Sequence, residues 1–489
     1  MSILVVDVGT SGVRGSIVQP DGSVEHVNYV QVLPDTPFPG LVEFDAAALA
    51  AAVLDVAGRT LADGGPVEVV GIANQRASTI VWDRATGEPV GPGIGWQDLR
   101  TVGTCLELQA KGFRLAPNAS ATKVAAILDQ FDPDRARAER GELAFGTVDS
   151  WVAWTLSDGQ LHISDASNAA VTGLVHRDGS EWDAAVLAEL RIPTSMLPTI
   201  VDSTGLAGEA VTLAGRPPIG GIAGDQQASL VGQGCTRPGL AKATFGSGGM
   251  LDQCVGSTRP AFASRGDAGT IPIVAWRRGG EVTWGIEAIM LSAGTCVEWL
   301  RDDLGLIDTA EESNQVAAAC PDTGDVWFVP ALLGLGTPVW DFGARGTFVG
   351  ITRGTGRPQM VRAVLEGVAY RGCDLLLAAE ADSGQPIDAL RIDGGMSAND
   401  VFTQALADAC GRPIEISPVL EATTLGAAYL AGMAVGVWKD EQDIAGTWTP
   451  RRVVEPSISA DEQGARRERW LRARSRSEAT IPELSGLDF

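Results

Sequence analysis

Two acidic residues, each followed by a glycine-rich turn, stand near opposite ends of the chain. Asp7 precedes Val8-Gly9-Thr10-Ser11-Gly12, and Asp393 precedes Gly394-Gly395-Met396-Ser397-Ala398-Asn399. Glycines let backbone N–H groups approach an anion, and the two hydroxyls of the first turn add further donors. We interpret the two turns as parts of one phosphate-binding cleft that two halves of the protein close.

The carboxylate of Asp7 needs a chemical reason for standing beside a phosphate turn. A carboxylate there repels phosphate unless a divalent cation lies between them, so Asp7 is interpreted as a direct or water-mediated ligand of Mg²⁺. The alternative is an ordinary turn aspartate that caps its own loop.

The first turn is predicted to join two strands. Residues 3–6 form a short, β-branched apolar run, which predicts a buried strand, and a second and a third strand are predicted over 13–18 and 24–30. A P-loop or a Rossmann loop must open a helix instead, and neither glycine motif occurs in that setting. The phosphate grip is therefore of another kind.

A third acidic residue follows an apolar strand that breaks at Gly224. Asp225 is expected at the carboxyl end of this strand and at the start of a helix, where sites in α/β proteins concentrate. A carboxylate there can accept a hydroxyl proton as a general base. It can equally be the N-cap of the helix, and the residues alone leave both interpretations open.

Residues 243–250 form another turn rich in glycine and hydroxyl groups. The turn suits a nucleotide phosphate chain, although a plain turn between two strands would have the same sequence. In the Asp393 turn, the glycines could pack against a purine or its phosphates, and Asn399 could bind the base or sugar. Independent turns would rarely follow the order phosphate loop, acid, phosphate loop and adenosine loop, so the order favours a nucleotide site.

Composition limits the partners and the compartment. The chain of 489 residues is long enough for two to four domains, and its net charge of -24 argues against nucleic acid as a partner. No apolar run approaches the roughly 18 residues of a membrane helix. We therefore expect a cytoplasmic protein with no membrane partner.

Strand-like and helix-like runs alternate, which predicts an α/β protein. We expect an N-terminal domain over residues 1–231, with the first phosphate turn and Asp225, and a C-terminal domain over 232–453, with the turns that suit a nucleotide. A charged helix and tail follow over 454–489, where the arginine-rich stretch 466–476 is interpreted as solvated rather than as an interaction arm. The clearest further elements are helices at 46–62 and 360–379 and strands at 67–72, 241–245 and 326–329.

Several motifs resemble the FGGY family of carbohydrate kinases, which belongs to the superfamily of sugar kinases, actin and Hsp70. The likeness covers the chain to about Trp438 and, within the family, is closest to the glycerol kinases. It implies two actin-like, ribonuclease H-like domains with a cleft between them. The motifs are Asn74-Gln75-Arg76, Trp82-Asp83, Trp96-Gln97-Asp98, Gly224-Asp225-Gln226-Gln227, Phe328-Val329-Pro330-Ala331 and Gly334-Leu335-Gly336-Thr337-Pro338-Val339-Trp340-Asp341.

The resemblance implies an ATP-dependent kinase that phosphorylates a hydroxyl of a small polyol or sugar. It assigns Asp225 as the catalytic base and Asp7 as the carboxylate associated with Mg²⁺. Family members are often dimers or tetramers, so a homo-oligomer is also expected. The residues implied around ATP and its phosphates are Thr10, Ser11, Gly12, Arg14, Ser247, Gly248, Gly294, Glu298, Gly395 and Asn399. Those implied around the acceptor are Arg76, Ala77, Trp96, Asn118, Asp225, Gln226 and Met250.

Four positions around the acceptor depart from the glycerol kinase pattern, and one of them is Ala126, which replaces a tryptophan. Ala77 replaces a glutamate that binds substrate hydroxyls, Asn118 replaces a tyrosine, and Met250 replaces an aromatic wall. The pocket is expected to be altered and larger, so four-carbon polyols and pentuloses join glycerol as candidate acceptors.

Two non-kinase interpretations remain. A catalytically silent sugar-binding regulator would have no need of the carboxylates Asp7 and Asp225. An actin-like or chaperone ATPase would have no need of the polyol motifs at 74–76 and 96–98. The residues therefore favour the kinase.

Overall fold

The protein is described from a computed structural model, which covers residues 1–176, 179–419 and 421–488. Its strands are β1 (Ile3–Val8), β2 (Gly12–Val18), β3 (Val24–Gln31), β4 (Glu43–Phe44), β5 (Val69–Asn74), β6 (Ile80–Asp83), β7 (Gly93–Ile94), β8 (Leu143–Gly146), β9 (Ile163–Asp165), β10 (Thr199–Val201), β11 (Thr204–Glu209), β12 (Pro218–Gly224), β13 (Ala241–Phe245), β14 (Gly249–Gly256), β15 (Ile271–Arg278), β16 (Glu281–Met290), β17 (Trp327–Val329), β18 (Thr347–Val349), β19 (Leu390–Asp393), β20 (Ile414–Ile416) and β21 (Arg452–Val454).

The helices lie between these strands and on their faces. They are α1 (Ala46–Gly64), α2 (Val102–Ala110), α3 (Ser120–Phe131), α4 (Ala136–Glu139), α5 (Val148–Leu156), α6 (Ala166–Ala170), α7 (Ala184–Glu189), α8 (Asp225–Gly232), α9 (Gly294–Asp302), α10 (Glu312–Ala318), α11 (Arg357–Ser383), α12 (Asp400–Cys410), α13 (Ala422–Ala434), α14 (Glu441–Thr447), α15 (Ala460–Arg474) and α16 (Pro482–Ser485). Short 3-10 helices occur at Thr194–Met196 and Gly395–Ala398.

Within the described residues, a sheet of 13 strands runs through both halves in the order β21-β20-β19-β13-β14-β16-β15-β11-β12-β5-β1-β2-β3. In the first half, β1, β2 and β3 form an antiparallel meander, and β5 and β12 continue the sheet beside β1 as parallel strands. The second half repeats this plan with an antiparallel β13, β14 and β16 and parallel β19 and β20. The repeat confirms the expected α/β class.

The inner strands are apolar because helices cover both faces of the sheet. All six residues of β5 are buried, and in β1 only Asp7 is less than fully buried. Helix α1 begins where the Asp45 side chain caps the Ala48 N–H at 2.9 Å, and it packs a stripe containing Val53 and Val56 onto the first half. The rigid β1–β5–β12 layer thus holds the turns that follow each strand.

Helices α8 and α13 pack against each other at backbone distance. A Cβ atom on Gly426 would lie 1.7 Å from the Ala228 carbonyl oxygen, and one on Gly232 would lie 1.9 Å from that of Ala422. Only glycine permits this approach. Helix α13 comes late in the chain, yet it packs on β1, β5 and β12 of the first half. The expected domain boundary, at residues 231–232, falls in the last turn of α8.

The helix predicted in the arginine-rich C-terminal stretch is present as α15, but the expectation that it is solvated is wrong for one of its faces. Trp470 is completely buried and stacks on Tyr370 with ring centroids 5.4 Å apart. Arg467 and Arg474 both pair with the buried carboxylate of Asp374. The helix is therefore an integral layer of the second half. None of the helices in the described part of the chain has the length and apolar content needed to cross a membrane.

Candidate active site

Three parallel strands of the first half end at one edge of the sheet. Val8 of β1, Asn74 of β5 and Gly224 of β12 lie side by side in register. Gly9 and Asp225, the residues that follow β1 and β12, therefore emerge at the same edge, which is where ligands bind in open α/β sheets. The topology alone brings the first phosphate turn and the candidate base together.

The first phosphate turn is closed by a hydrogen bond from the Gly9 N–H to the Gly12 carbonyl at 2.9 Å. The indole Nε1 of Trp96 donates to Thr10 Oγ1 at 3.2 Å. Trp96, which is predicted to contact the acceptor, therefore also orients the phosphate turn. Ser11, at the tip of the turn, is exposed. These positions leave the turn open toward a ligand in the cleft.

Asp7 and Arg14 lie opposite each other on β1 and β2. Burial raises the pKa of Asp7 to about 7, Arg14 opposes the rise, and the Asp225 carboxylate adds to it. The Arg14 guanidinium also forms an ion pair with Glu421, at the start of α13. The predicted phosphate arginine is thus in contact with the helix that joins the two halves.

A bound cation at this edge would need oxygens from the nucleotide. No group of three or more His, Cys, Asp or Glu side chains in the described residues is arranged to hold a metal ion. Mg²⁺ is commonly held by one or two carboxylates together with substrate phosphates. Asp7 fits such a shared site, and it does not fit an all-protein metal cage.

Asp225 is the first residue of α8, and the N-cap position belongs to Gly224. The N-cap interpretation of Asp225 is therefore wrong. Its Oδ1 atom accepts from the Gln226 N–H at 2.8 Å and lies 3.4 Å from Arg76 Nε, with about a third of the side chain exposed (34%). Burial raises the pKa of Asp225, and the Arg76 guanidinium opposes this rise. The carboxylate is accessible, charge-paired and a stronger base than a free aspartate.

Arg76 connects this carboxylate to the second half. Its Nη2 atom lies 2.7 Å from Glu287 Oε2 and 3.8 Å from the Met250 sulfur, and its side chain is only 12% exposed. Arg76 Nη1 donates to Gln227 Oε1 at 3.4 Å. The structure therefore brings the predicted acceptor residues Arg76, Asp225 and Met250 together.

A buried lysine, Lys123, lies beside two residues predicted to contact the acceptor, Trp96 and Asn118. Its Nζ atom donates to the carbonyl oxygens of Gly95, Trp96 and Asn118 at 2.8, 3.1 and 3.2 Å. Burial lowers the pKa of Lys123 to about 7. The lysine thus connects the segment that contains Trp96 to the segment that contains Asn118. Asn118 itself is exposed.

Ala77 is buried and has a left-handed backbone with φ 60°. Its carbonyl oxygen accepts from Ser120 Oγ at 3.0 Å and from Thr79 Oγ1 at 3.1 Å. These two bonds hold an unusual conformation for a residue with a Cβ atom. The Ala77 side chain contributes no polar group to the acceptor pocket.

The turns predicted to bind ATP meet at the edge of the second half. The N–H groups of Ala293 and Gly294 donate to the carbonyls of Ser247 and Gly246, both at 2.8 Å. A Cβ atom on Gly394 would lie 2.4 Å from the Phe245 carbonyl, so the Asp393 turn lies directly against the end of β13. The structure thereby gathers Ser247, Gly248, Gly294 and Gly395, with the exposed Glu298 in α9.

Asn399 lies beside these turns, but its amide is engaged within the fold. Its Oδ1 atom accepts from the Phe402 N–H at 3.0 Å as the N-cap of α12, and Nδ2 donates to Ser313 Oγ at 3.0 Å. The contact predicted between Asn399 and a base or sugar would have to coexist with these two bonds.

Three buried charged residues of the second half were missed by the sequence analysis, namely Lys242, Asp252 and Glu287. Lys242 Nζ lies 2.7 Å from Asp252 Oδ2 and donates to Gln226 Oε1 at 2.6 Å. A signal was available, because Lys242 and Asp252 are equally far along the chain from Ser247, and a hairpin centred on Ser247 places them opposite each other.

Comparison with known proteins agrees with this arrangement. Residues 2–232 match the N-terminal domain, and residues 267–435 the C-terminal domain, of the FGGY family of carbohydrate kinases. The chain is 43% identical to the glycerol kinase of Trichlorobacter lovleyi, over 97% of this chain and 98% of the relative. It is 41% identical to the glycerol kinase of Aromatoleum aromaticum, over 98% and 99%. The crystal structure of Plasmodium falciparum glycerol kinase with ADP superposes with a TM-score of 0.90 at 27% identity, covering 97% and 98% of the two chains.

Proposed function

This chain belongs to the FGGY family of carbohydrate kinases, and from that premise we propose that it transfers the γ-phosphoryl group of ATP to a hydroxyl of glycerol. It is an ATP-dependent carbohydrate kinase. The names of relatives at 41% and 43% identity support glycerol as the acceptor. The observation that carries the proposal is the contact of Arg76 with Asp225, at 3.4 Å, on the sheet edge that also holds the first phosphate turn.

In the proposed reaction, Asp225 orients the acceptor hydroxyl and accepts its proton as the oxygen attacks the γ-phosphorus. The bond from the γ-phosphorus to the bridging oxygen breaks, and ADP leaves. Phosphoryl transfer requires mainly the positioning of the reactants and the stabilisation of charge. The accessible carboxylate of Asp225 and the neighbouring guanidinium of Arg76 supply both for the attacking hydroxyl. Arg76 holds an acceptor hydroxyl and keeps Asp225 in place.

The phosphate chain is proposed to lie between the two sets of turns. The N–H groups and hydroxyls of Thr10 and Ser11, with Arg14, face the transferred phosphate, and the turns at Ser247 and Gly294 hold the rest of the nucleotide. Asp7 would hold Mg²⁺, and the ion would supply neutralisation of the phosphate charge. Closure of the halves around α8 and α13 would exclude water, which otherwise competes with the acceptor.

A four- or five-carbon polyol or ketose is the second candidate acceptor. Ala77 leaves one acceptor hydroxyl without the carboxylate that the glycerol kinase pattern provides, and its carbonyl is already occupied by Ser120 and Thr79. Met250 gives a flexible thioether wall in place of an aromatic ring. Both changes leave room for a longer chain.

The test is coupled ADP release with Mg-ATP and a panel of glycerol, erythritol, threitol, erythrulose, xylulose and ribulose. The expected result is the highest kcat/KM for glycerol and little ADP release without acceptor. A higher kcat/KM for another member of the panel would make that compound the proposed acceptor in place of glycerol, and the proposed kinase activity would stand. ADP release that no acceptor stimulates would contradict both.

A further inference from the structure

Six side chains around the candidate acceptor site form a closed ring of polar contacts. From Asp225 the ring passes to Arg76 at 3.4 Å and from there to Glu287 at 2.7 Å. Glu287 on β16 and Asp252 on β14 are directly opposed register partners, and the Asp252 carboxyl contributes to a raised pKa of Glu287. Lys242 and Gln226 complete the ring. Lys242 lies 2.7 Å from Asp252 and donates to Gln226 Oε1 at 2.6 Å. The backbone N–H of Gln226 donates to Asp225 at 2.8 Å.

Lys242 determines which end of the Gln226 amide faces the cleft. Its Nζ atom donates to Gln226 Oε1 at 2.6 Å and to Thr244 Oγ1 at 3.2 Å, and it forms an ion pair with Asp252 at 2.7 Å. With Oε1 of Gln226 turned toward Lys242, the NH₂ group of Gln226 must point the other way. Within the described residues that NH₂ group has no acceptor, and it is therefore available to an acceptor hydroxyl.

Asp252 and Glu287 are two buried carboxyl groups at directly opposed positions of β14 and β16. Both oxygens of Asp252 and Oε2 of Glu287 are shielded from solvent and lack a hydrogen bond of good geometry within the described residues. Two ionised carboxylates at such positions repel each other, and a proton between them removes the repulsion and supplies the missing donor.

The charge balance of the ring supports one proton. Within the ring, the cations Arg76 and Lys242 face three carboxyl groups, those of Asp225, Asp252 and Glu287. Two carboxyl groups act on the ring from outside, because Asp7 interacts with Asp225 and Asp393 interacts with Lys242. One proton makes the ring neutral, which is the favourable state for a buried cluster. Burial raises the pKa of Glu287, Arg76 opposes the rise, and the Asp252 carboxyl adds to it.

We propose that Lys242, Asp252 and Glu287 are positioning residues, and that a proton shared by Asp252 and Glu287 completes a neutral ring which aims Arg76 and Gln226 at the acceptor. None of the three contacts the reacting atoms. The ring joins residues that follow β5 and β12 of the first half to β13, β14 and β16 of the second. The proposal rests on the proposed kinase function for its effect on the acceptor, and on the geometry alone for the shared proton.

The first test removes the buried lysine. Lys242→Met frees the Gln226 amide to rotate and is expected to raise the acceptor KM about tenfold, the effect of one lost buried hydrogen bond, with the ATP KM near that of the wild type. Because this change also leaves Asp252 buried without its cation, the double variant Lys242→Met/Asp252→Leu removes both charges and preserves folding. It is expected to keep the raised acceptor KM.

The matched control is a cation–carboxylate pair on neighbouring strands of the same sheet. Arg391 and Glu415 face each other on β19 and β20 with 3.3 Å between Nε and Oε2. Arg391 lies beside Lys242 on the neighbouring strand, but within the described residues it forms no hydrogen bond or ion pair with a member of the ring. Arg391→Met/Glu415→Leu is expected to leave the acceptor KM unchanged. If the Lys242 double variant also had the wild-type acceptor KM, the positioning role would be overturned.

The second test reads the shared proton directly by infrared spectroscopy at neutral pH. Because other buried carboxyl groups such as Asp7 also contribute carbonyl bands at this pH, the signal is read from difference spectra, and the spectrum of the wild type minus that of Asp252→Asn or Glu287→Gln is expected to contain a carbonyl band of a protonated carboxylic acid. A spectrum unchanged by either substitution would overturn the shared proton. The band needs no acceptor and no turnover, so its presence in a protein that phosphorylates nothing would support the ring and contradict only the proposed function.

Discussion

Arg76 and Asp225 approach each other across the ends of two neighbouring parallel strands, with 3.4 Å between Nε and Oδ1. Arg76 follows β5 and Asp225 follows β12, and the strands are in register at Asn74 and Gly224. The contact is therefore a consequence of the sheet topology. It favours the charged form of the carboxylate and so opposes burial, which raises the pKa of Asp225.

Replacement of the candidate base tests the catalytic assignment. Asp225→Asn preserves the size of the side chain but cannot accept a proton, and kcat is expected to fall by about 10²- to 10⁴-fold. ATP binding, measured by calorimetry, is expected to stay near the wild-type value, because the nucleotide turns lie elsewhere. Asp55→Asn, at an exposed position on α1, serves as the control. Near-normal turnover by Asp225→Asn would exclude this residue as the base.

The pH dependence of acceptor phosphorylation follows from the same carboxyl group. Burial raises the pKa of Asp225, and the base acts only when it is unprotonated, so kcat/KM is expected to fall as pH decreases through that raised pKa. Arg76 opposes the rise, and Arg76→Gln should therefore move the acid limb to higher pH. Rates are measured at saturating Mg-ATP to limit the contribution of Asp7. A limb that stayed in place in Arg76→Gln would contradict the coupling.

The acceptor preference is tested at the alanine that replaces a glutamate. Ala77→Glu restores a carboxylate to the pocket, and the glycerol KM is expected to fall about tenfold, the effect of one charged hydrogen bond. The left-handed backbone at this position, with φ 60°, already accommodates the Cβ atom of Ala77, so any loss of stability is expected to come from burial of the new carboxylate and not from the backbone. Ala77→Gln controls for size without charge. The measurement is the ratio of kcat/KM for glycerol to that for erythritol, and an unchanged ratio would show that residue 77 does not govern selection.

Local patterns were sufficient to predict the strands that hold the site. The predicted strand at 241–245 coincides with β13, and the predicted hairpin around the first phosphate turn is formed by β1 and β2. A short β-branched run that ends at a glycine forms a strand for local reasons, so the strand can be predicted from neighbouring residues in the sequence. The same holds for Asp225, which follows such a run.

The buried charges and the C-terminal helix were harder to predict because their partners are distant. The burial of the Glu287 carboxylate depends on its ion pair with Arg76, which lies far away along the chain. In α15 a single tryptophan, Trp470, enters the core among arginines, so the helix has no periodic apolar stripe to indicate burial. Its partners Tyr370 and Asp374 lie on α11, and only the tertiary fold brings them together.

The attachment of α15 depends on one buried carboxylate. Asp374 is 1% exposed and contacts Arg371 at 2.8 Å and Arg474 at 3.1 Å, together with Arg467, and it accepts from the Trp470 indole at 3.2 Å. Burial alone would raise the pKa of Asp374, but the three arginines hold it below its usual range. The carboxylate is therefore the common anion of the interface.

Asp374→Asn is expected to reduce the free energy of unfolding by about 3 kcal/mol at neutral pH, because it leaves Arg371 buried without a counter-charge. A group whose folded pKa is lowered contributes stability above its unfolded pKa, and that contribution is lost as pH falls through the folded pKa. The difference between variant and wild type should accordingly shrink below pH of about 4. Asp325→Asn is the matched control, because Asp325 pairs with Arg469 of the same helix at 2.8 Å but is 75% exposed, and its loss should cost less than about 1 kcal/mol. Urea unfolding of both variants at neutral and acidic pH measures the two effects, and equal losses would contradict the anchoring role of Asp374.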